Sequence, residues 1–426
     1  MSFDAQPAPP HRVAVIGGGI SGLAAAYLLA PHHAVTLYEA APRLGGHART
    51  VMAGRHGDQA VDTGFIVFNY ANYPHLTRMF MDLDVPVKRS DMSFGASIDN
   101  GRVEYALRNL RGLLGQRRNL ARPGFLRMVR DIVKFNARAE AAATDDSMTI
   151  GDLVDSLGLG AWFQRYYLLP ICGAIWSTPP AEIADFPART LVRFFRNHAL
   201  LSAGGQHQWW TVDGGSIEYV RRLEHHLRGR GVAIRKGTPV ASVTRNGVES
   251  VVHVAGQPAA TFDQLILACH SDQALRMLAQ PTPQETAALS AIRYQDNHAV
   301  LHCDPALMPR RRACWSSWVY NADTSRQTPS MGVTYWMNRL QGIPESDPLF
   351  VSLNPVREVA GDKTYDSTVF RHPVFDRAAI RAQGALRDLQ GANNTWFAGA
   401  YTRHGFHEDG FASAVRIACQ IDRQFA

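Results

Sequence analysis

Lysine is almost missing from this chain of 426 residues: it stands only at positions 88, 134, 236 and 363, so arginine carries the positive charge. Cysteine is scarce as well. The five thiols (Cys172, Cys269, Cys303, Cys314 and Cys419) are odd in number and form no CxxC pair, which argues against a disulfide framework or a zinc knuckle and predicts core thiols. No metal site is expected. Long apolar runs are lacking too: the stretch 13–30 is interrupted by Gly17, Gly18, Gly19 and Gly22 and has no small-residue cleavage pattern, so neither membrane spanning nor export fits it. A cytoplasmic protein is expected. Repeats, heptads and low-complexity blocks are absent, and only the proline-containing start, MSFDAQPAPPHR, is expected to be weakly ordered.

What is present is an ordinary ordered composition, 46% hydrophobic and 19% charged, in a chain long enough for two domains with substantial cores. The formal charge is +7 and the pI near 9.3. Much of the excess is concentrated between Arg102 and Arg138, where Arg108, Arg111, Arg117, Arg118, Arg122, Arg127, Arg130 and Lys134 face only Glu104 and Asp131. Leu, Phe, Met, Val and Ile alternate with these arginines at near-helical spacing. That pattern fits an interfacial helix on anionic lipid, although a solvated helix face is the commoner explanation of such a run and only a lipid substrate favours the membrane. Peripheral contact with the inner face of the cytoplasmic membrane is the expectation, with no nucleic-acid partner.

The segment RVAVIGGGISGLAAAYLLAPHHAVTLYEA reads as strand, tight turn, helix and second strand. Gly17, Gly19 and Gly22 form GxGxxG between the first strand and the helix. Such glycines permit the turn, the approach of a pyrophosphate to backbone N–H groups, and close helix–sheet packing. Glu39 ends the second strand about 20 residues on, where a carboxylate accepts hydrogen bonds from an adenosine ribose and disfavours a 2′-phosphate.

The next segments, EAAPRLGGHARTV and VDTGFIVFN, follow with Arg43, Gly45, Gly46, Arg49, Thr50, Asp62 and Gly64 in order. With these motifs the chain resembles the FAD-dependent flavin amine oxidase and phytoene desaturase superfamily. The strings NHAVLHCDPALMP, WSSWVY and FAGAYTRHGFHEDG are most similar to a bacterial branch associated with cyclopropane fatty acid synthase-like methyltransferases and with methyl-fatty-acid desaturation toward furan fatty acids. The resemblance implies an α/β fold in which an interrupted, Rossmann-like FAD-binding domain (1–72, 206–288 and 391–426) carries a second, α+β substrate domain (73–205 and 289–390). It assigns FAD contacts to Gly17, Gly19, Ile20, Ser21, Gly22, Glu39, Ala40, Arg43, Gly45, Gly46, His47, Thr63, Gly64, Phe65, Val240, Gly399, Asp409, Gly410, Phe411 and Ala412. The last flavin-binding helix is expected to begin near Gly410, its N-terminus favouring the negative charge of a reduced flavin.

In the substrate domain, the first insertion reads as mainly helical and the second as richer in strands. The aromatic segments 165–180 and 192–201 are expected either to wall an apolar ligand or to form plain core. Amine-oxidising relatives generally carry a lysine that reaches flavin N5 through water, but the comparable segment, AIRYQDNHAVLHCDPALMP, has none. The resemblance therefore implies dehydrogenation of a methyl-branched unsaturated acyl chain, free or in phospholipid. Double-bond isomerisation, amine oxidation and non-redox lipid binding remain as alternatives. His404, His407, Glu408, Tyr401 and Asn297 are the candidate catalytic residues, and each of those near the C-terminus can instead hydrogen-bond flavin or cap the helix.

Overall fold

The computed structural model describes residues 10–143, 145, 147–176, 183–197, 207–323 and 330–421. Most of the proline-containing start, and residues 177–180 and 198–201 of the two aromatic segments, lie outside them. The β-branched strand Arg12–Ile16 occupies the middle of a five-stranded parallel sheet, in the order Ala233–Arg235, Ala34–Tyr38, Arg12–Ile16, Gln264–Leu267 and Thr395–Phe397. Val13, Ala14, Val15, Leu265, Ile266 and Leu267 are fully buried, as expected for strands covered on both faces. The alanine-rich helix Ile20–Leu29 and the C-terminal helix His407–Ile421 pack together on one side of this sheet, sharing a core with the helix Ile217–Gly229. An antiparallel meander (Val240–Arg245, Ser250–Val254, Ala260–Phe262) leads back into the central strand Gln264–Leu267.

A seven-stranded sheet gathers strands from both sides of the chain, in the order Thr364–Pro373, Tyr294–His302, Phe350–Leu353, Ser330–Trp336, Trp318–Asp323, Phe94–Ile98 and Val103–Ala106. Two of its strands come from the segment expected to be mainly helical. The helices Pro123–Ala142, Ile150–Ser156 and Ala188–Asn197 cover one face, around Phe125, Phe135, Phe163 and Phe195. Arg102 to Arg138 does not form one helix. Val103–Ala106 is a strand paired with Phe94–Ile98, Leu110–Leu113 is a single helical turn, and Pro123 starts the long helix at a position where its missing N–H costs nothing. Among the described residues no helix is long and apolar enough to cross a membrane.

Two polar ties join these parts. Arg49 makes a bidentate pair with Asp366 at 2.6 and 2.9 Å. The fully buried Asp62 accepts from the Ser216 amide at 2.9 Å, the Ser216 hydroxyl at 2.7 Å, Thr50 at 2.6 Å and Gln341 at 3.0 Å. Burial pushes the Asp62 carboxyl up to about 6, and these donors pull the other way.

Candidate active site

A cavity of about 1080 Å³ runs from the C-terminal edge of the parallel sheet to the seven-stranded sheet. Its first end is built by the GxGxxG turn. Gly17 has φ +114°, and a Cβ at Gly22 would overlap the Gly17 carbonyl oxygen, so turn and helix touch as backbone against backbone. Gly17, Gly19, Ile20 and Ser21 line the cavity, whereas Gly22 serves the packing behind it. The helix Ile20–Leu29 has no side-chain N-cap, which leaves first-turn N–H groups available to an anion. Glu39 lines the same end. Its Oε2 accepts from the Gly18 amide at 2.6 Å and its Oε1 from the Ala41 amide at 2.7 Å, and a carboxylate retains further lone pairs for ribose hydroxyls. Ala40 and Val240 stand on this wall as well.

The Gly-Gly loop passes beneath the cavity and is held by Arg43, whose guanidinium donates to the carbonyls of Leu44, Gly46 and Ala48 at 2.9–3.3 Å. Gly46 and His47 line the cavity, together with Thr63, Gly64 and Phe65. Gly45 does not; its backbone packs against Val220 and Ala48.

On the C-terminal side the arrangement departs from expectation. The helix begins at His407 rather than near Gly410, because the Asp409 carboxylate accepts from the amides of Phe406 (3.0 Å) and His404 (3.3 Å) and so closes the turn that precedes it. The lining residues are Gly399, Ala400, Tyr401, Gly405, Phe406 and His407. Asp409, Gly410, Phe411 and Ala412 are not among them: Gly410 packs against Ile20 and Ser21, and Phe411 lies in the core. Nor are His404 and Glu408. Glu408 accepts from the amides of His75 (2.9 Å) and Leu76 (3.0 Å) and thereby caps the helix Pro74–Asp82. Burial pushes its carboxyl up to about 7 while the two amides pull it down.

His407 and Tyr401 do face the cavity. His407 stacks on Phe65 at 4.0 Å, and its Nε2 lies 2.7 Å from the Tyr219 hydroxyl. Burial drops its pKa to about 3, so the ring is neutral. Tyr401 is buried, and its hydroxyl has no partner among the described residues. Of the aromatic segments, Ile171 reaches the cavity, while Tyr166, Tyr167, Val192 and Phe195 belong to the helical core.

A cluster not anticipated from the sequence closes the wall. His47 sits 5.9 Å from His270 and 5.4 Å from His372, ring centre to ring centre, and His270 stacks on Tyr294 at 4.4 Å. Burial lowers all three histidines, His270 to about 4 and His372 to about 3. Their protons are constrained by neighbours. The His298 amide donates to Asn354 Oδ1 (2.9 Å), so the Asn354 amino group donates to Asn297 Oδ1 (2.8 Å). The Asn297 amino group must then donate to the Gln295 carbonyl (3.2 Å) and to His372 Nδ1 (3.1 Å). His372 is thereby the Nε2–H tautomer. His47 is hydrogen-bonded to the Arg371 backbone while its Nε2 is unpartnered; Nδ1–H is the donor, and Nε2 is a bare acceptor. Asn297 is fully buried behind the wall, so it positions His372 and does not face the cavity.

These features fit FAD. An uncapped helix N-terminus and a carboxylate stand at one end, a glycine-rich floor lies along the middle, and the buried His47 Nε2, His270 Nδ1 and Tyr401 hydroxyl have no hydrogen-bond partner among the described residues. The volume also exceeds the range of about 300–1,000 Å³ typical of a single small-ligand pocket.

Comparison with known proteins agrees. The chain superimposes on a putative protoporphyrinogen oxidase from Exiguobacterium sp. 255-15 (TM-score 0.69, 16% identity, 97% of this chain and 99% of the other). It superimposes equally on a CLA-producing fatty acid isomerase from P. acnes (TM-score 0.67, 15% identity, 98% and 99%) and a cyclohexylamine oxidase from Brevibacterium oxydans IH-35A (TM-score 0.67, 14% identity, 98% and 99%). At such identities the likeness is one of fold. An L-amino-acid oxidase from Sistrurus catenatus edwardsii is 55% identical over 42 residues, a match spanning 10% of this chain and 8% of the relative. Residues 20–422 match the family described as flavin containing amine oxidoreductase, so the chain belongs to that family and is an FAD-dependent oxidoreductase.

Proposed function

We propose that the chain oxidises an uncharged hydrocarbon segment, dehydrogenating a methyl-branched, mono-unsaturated acyl chain held in the far end of the cavity. The observation that carries this reading is the lining of that end. Phe94, Ile171, Trp318, Tyr335, Leu353 and Val369 surround it. Among the described lining residues there is no lysine, and Glu39, at the nucleotide end, is the one carboxylate. A cationic amine would therefore be desolvated there without a counter-charge, at a cost of several kcal/mol. An acyl chain gains from the same burial, by about 0.8 kcal/mol per CH₂.

FAD, when bound, supplies the two-electron acceptor for a hydride leaving a substrate C–H bond. The apolar walls hold the acyl chain and exclude water. Loss of hydride from an allylic carbon leaves the acyl chain cationic and makes the neighbouring C–H strongly acidic. A weak base then suffices, and the His47 imidazole in the cavity wall, which burial keeps neutral, is our candidate for taking that proton. His372, fixed with hydrogen on Nε2, keeps a donor rather than a second base beside it.

Return of the hydride to another carbon would isomerise the double bond with the same parts, and the fold shared with a fatty acid isomerase supports keeping that reading. Anaerobic mixing with a methyl-branched mono-unsaturated phospholipid and with the free acid tests both. Flavin bleaching with a product two hydrogens lighter is expected; an isomer of unchanged mass would favour isomerisation. A colour that stays while putrescine yields peroxide would replace the proposal with amine oxidation.

A further inference from the structure

The segment that the cavity does not use is the basic one, and its surface is unusual. Six of the twelve exposed large apolar side chains among the described residues fall within 107–133: Leu107, Leu110, Leu114, Leu120, Leu126 and Val133, with Leu110 75% exposed. Exposed arginines alternate with them, and the side chains of Arg111, Arg117, Arg127 and Arg138 make no ion pair or hydrogen bond among the described residues. The local acids do not offset this charge at the surface. Glu104 is fully buried on Arg311 at 2.7 Å, and Asp131, the one acid between 105 and 139, is fully buried against Arg130 and the Gly160 amide.

On the helix Pro123–Ala142, residues 126, 127, 130, 133, 137 and 138 are exposed at 3.6-residue spacing. The inner face carries Phe125, Met128 and Phe135. The helix thus has two apolar sides, and one of them, mixed with arginine, has no covering element among the described residues. A water-facing helix has no use for exposed leucines at this density, whereas a leucine-and-arginine face matches the boundary between acyl chains and anionic headgroups.

We propose that this face, from Leu107 through Val133, docks the protein on an anionic phospholipid bilayer. The leucines enter the headgroup boundary and the arginines meet lipid phosphates. The patch also adjoins the cavity. The Leu107 amide donates to the Phe94 carbonyl at 2.8 Å, and Phe94 lines the apolar end, so docking sets that end against the bilayer.

The test is flotation of the FAD-loaded full chain with vesicles of fully saturated phosphatidylglycerol, against saturated phosphatidylcholine, at low and high salt. Saturated chains present no double bond to react, so the result stands or falls apart from the proposed reaction. Binding to phosphatidylglycerol, weakened at least about tenfold by high salt or by Arg111→Glu/Arg117→Glu/Arg127→Glu, is expected. Leu110→Ser/Leu120→Ser/Leu126→Ser should weaken binding comparably, with flavin absorbance and Tm reporting that both variants are folded. A wild-type chain left in the soluble fraction, or variants that float like wild type, would overturn the proposal. So would a self-association of the wild type that the leucine changes abolish without any vesicle binding.

Discussion

Asn297 Nδ2 lies 3.1 Å from His372 Nδ1, and the direction of that bond is dictated by the amide of the adjacent His298 acting through Asn354. A neutral amide thus determines which nitrogen of a cavity-wall imidazole carries hydrogen. Asn297→Asp replaces the donor with an acceptor, which requires a proton on His372 Nδ1 and favours the imidazolium. The rate of flavin reduction should fall roughly ten- to hundredfold and acquire a new ionisation, with FAD retained. A pH profile of reduction in the two proteins checks this; an unchanged profile would remove His372 from the site.

The unpartnered His47 Nε2 calls for a separate substitution. His47→Asn keeps a side-chain donor near the Arg371 carbonyl but removes the basic nitrogen. A loss of roughly a hundredfold in reduction rate, with little change in substrate affinity, is the expected split. Rapid-mixing measurements across substrate concentration separate the two quantities.

Burial holds His270, His372 and His407 at about 4, 3 and 3, below the ordinary value near 6.5. The folded state therefore binds fewer protons than the unfolded one between those values and 6.5. The stability they contribute is present above about pH 6.5 and is lost as pH falls toward 3–4. The reduction rate should accordingly show no histidine step between about pH 5 and 8. A step near 6.5 in that profile would show that a cavity histidine is solvated.

The nucleotide end of this site was legible because its parts are local. Strand, GxGxxG turn, helix and Glu39 fall within 28 residues, and each residue type there answers to a nearby backbone demand. The histidine wall was not legible, since His47, His270 and His372 come from three segments that only tertiary packing unites. In FAGAYTRHGFHEDG the residue types alone do not sort cavity residues from structural ones. Whether a carboxylate faces a ligand or a neighbouring helix depends on where Pro74–Asp82 lies, and Glu408 turns out to face that helix. In the arginine-rich segment the helical spacing of 125–135 matches the helix Pro123–Ala142, whereas the strand Val103–Ala106 just before it depends on its pairing with Phe94–Ile98, which spacing does not show.

Gly64 offers a test of the loop beneath the cofactor. A Cβ there would overlap the His47 carbonyl oxygen, and backbone on both sides leaves nothing flexible to yield. Gly64→Ala should displace the Gly-Gly loop and lower FAD content of the purified protein at least about tenfold, with the remaining fold cooperative. The ratio of flavin to protein absorbance, before and after incubation with excess FAD, reads the effect.

Glu408 separates a structural role from a chemical one. As the N-terminal cap of Pro74–Asp82, its loss in Glu408→Ala should cost about 1–2 kcal/mol of stability while flavin reduction stays near the wild-type rate. Its carboxyl is raised by burial from 4.5 to about 7, so the folded state binds the proton more tightly than the unfolded state. Between those values stability falls as pH rises, and Glu408→Gln, which cannot ionise, should flatten that share of the curve. Tm measured from pH 4.5 to 7 in wild type and variant provides the comparison. If Glu408→Gln instead abolished reduction at unchanged Tm, the carboxylate would have to reach the substrate, and the capping geometry would have to open during turnover.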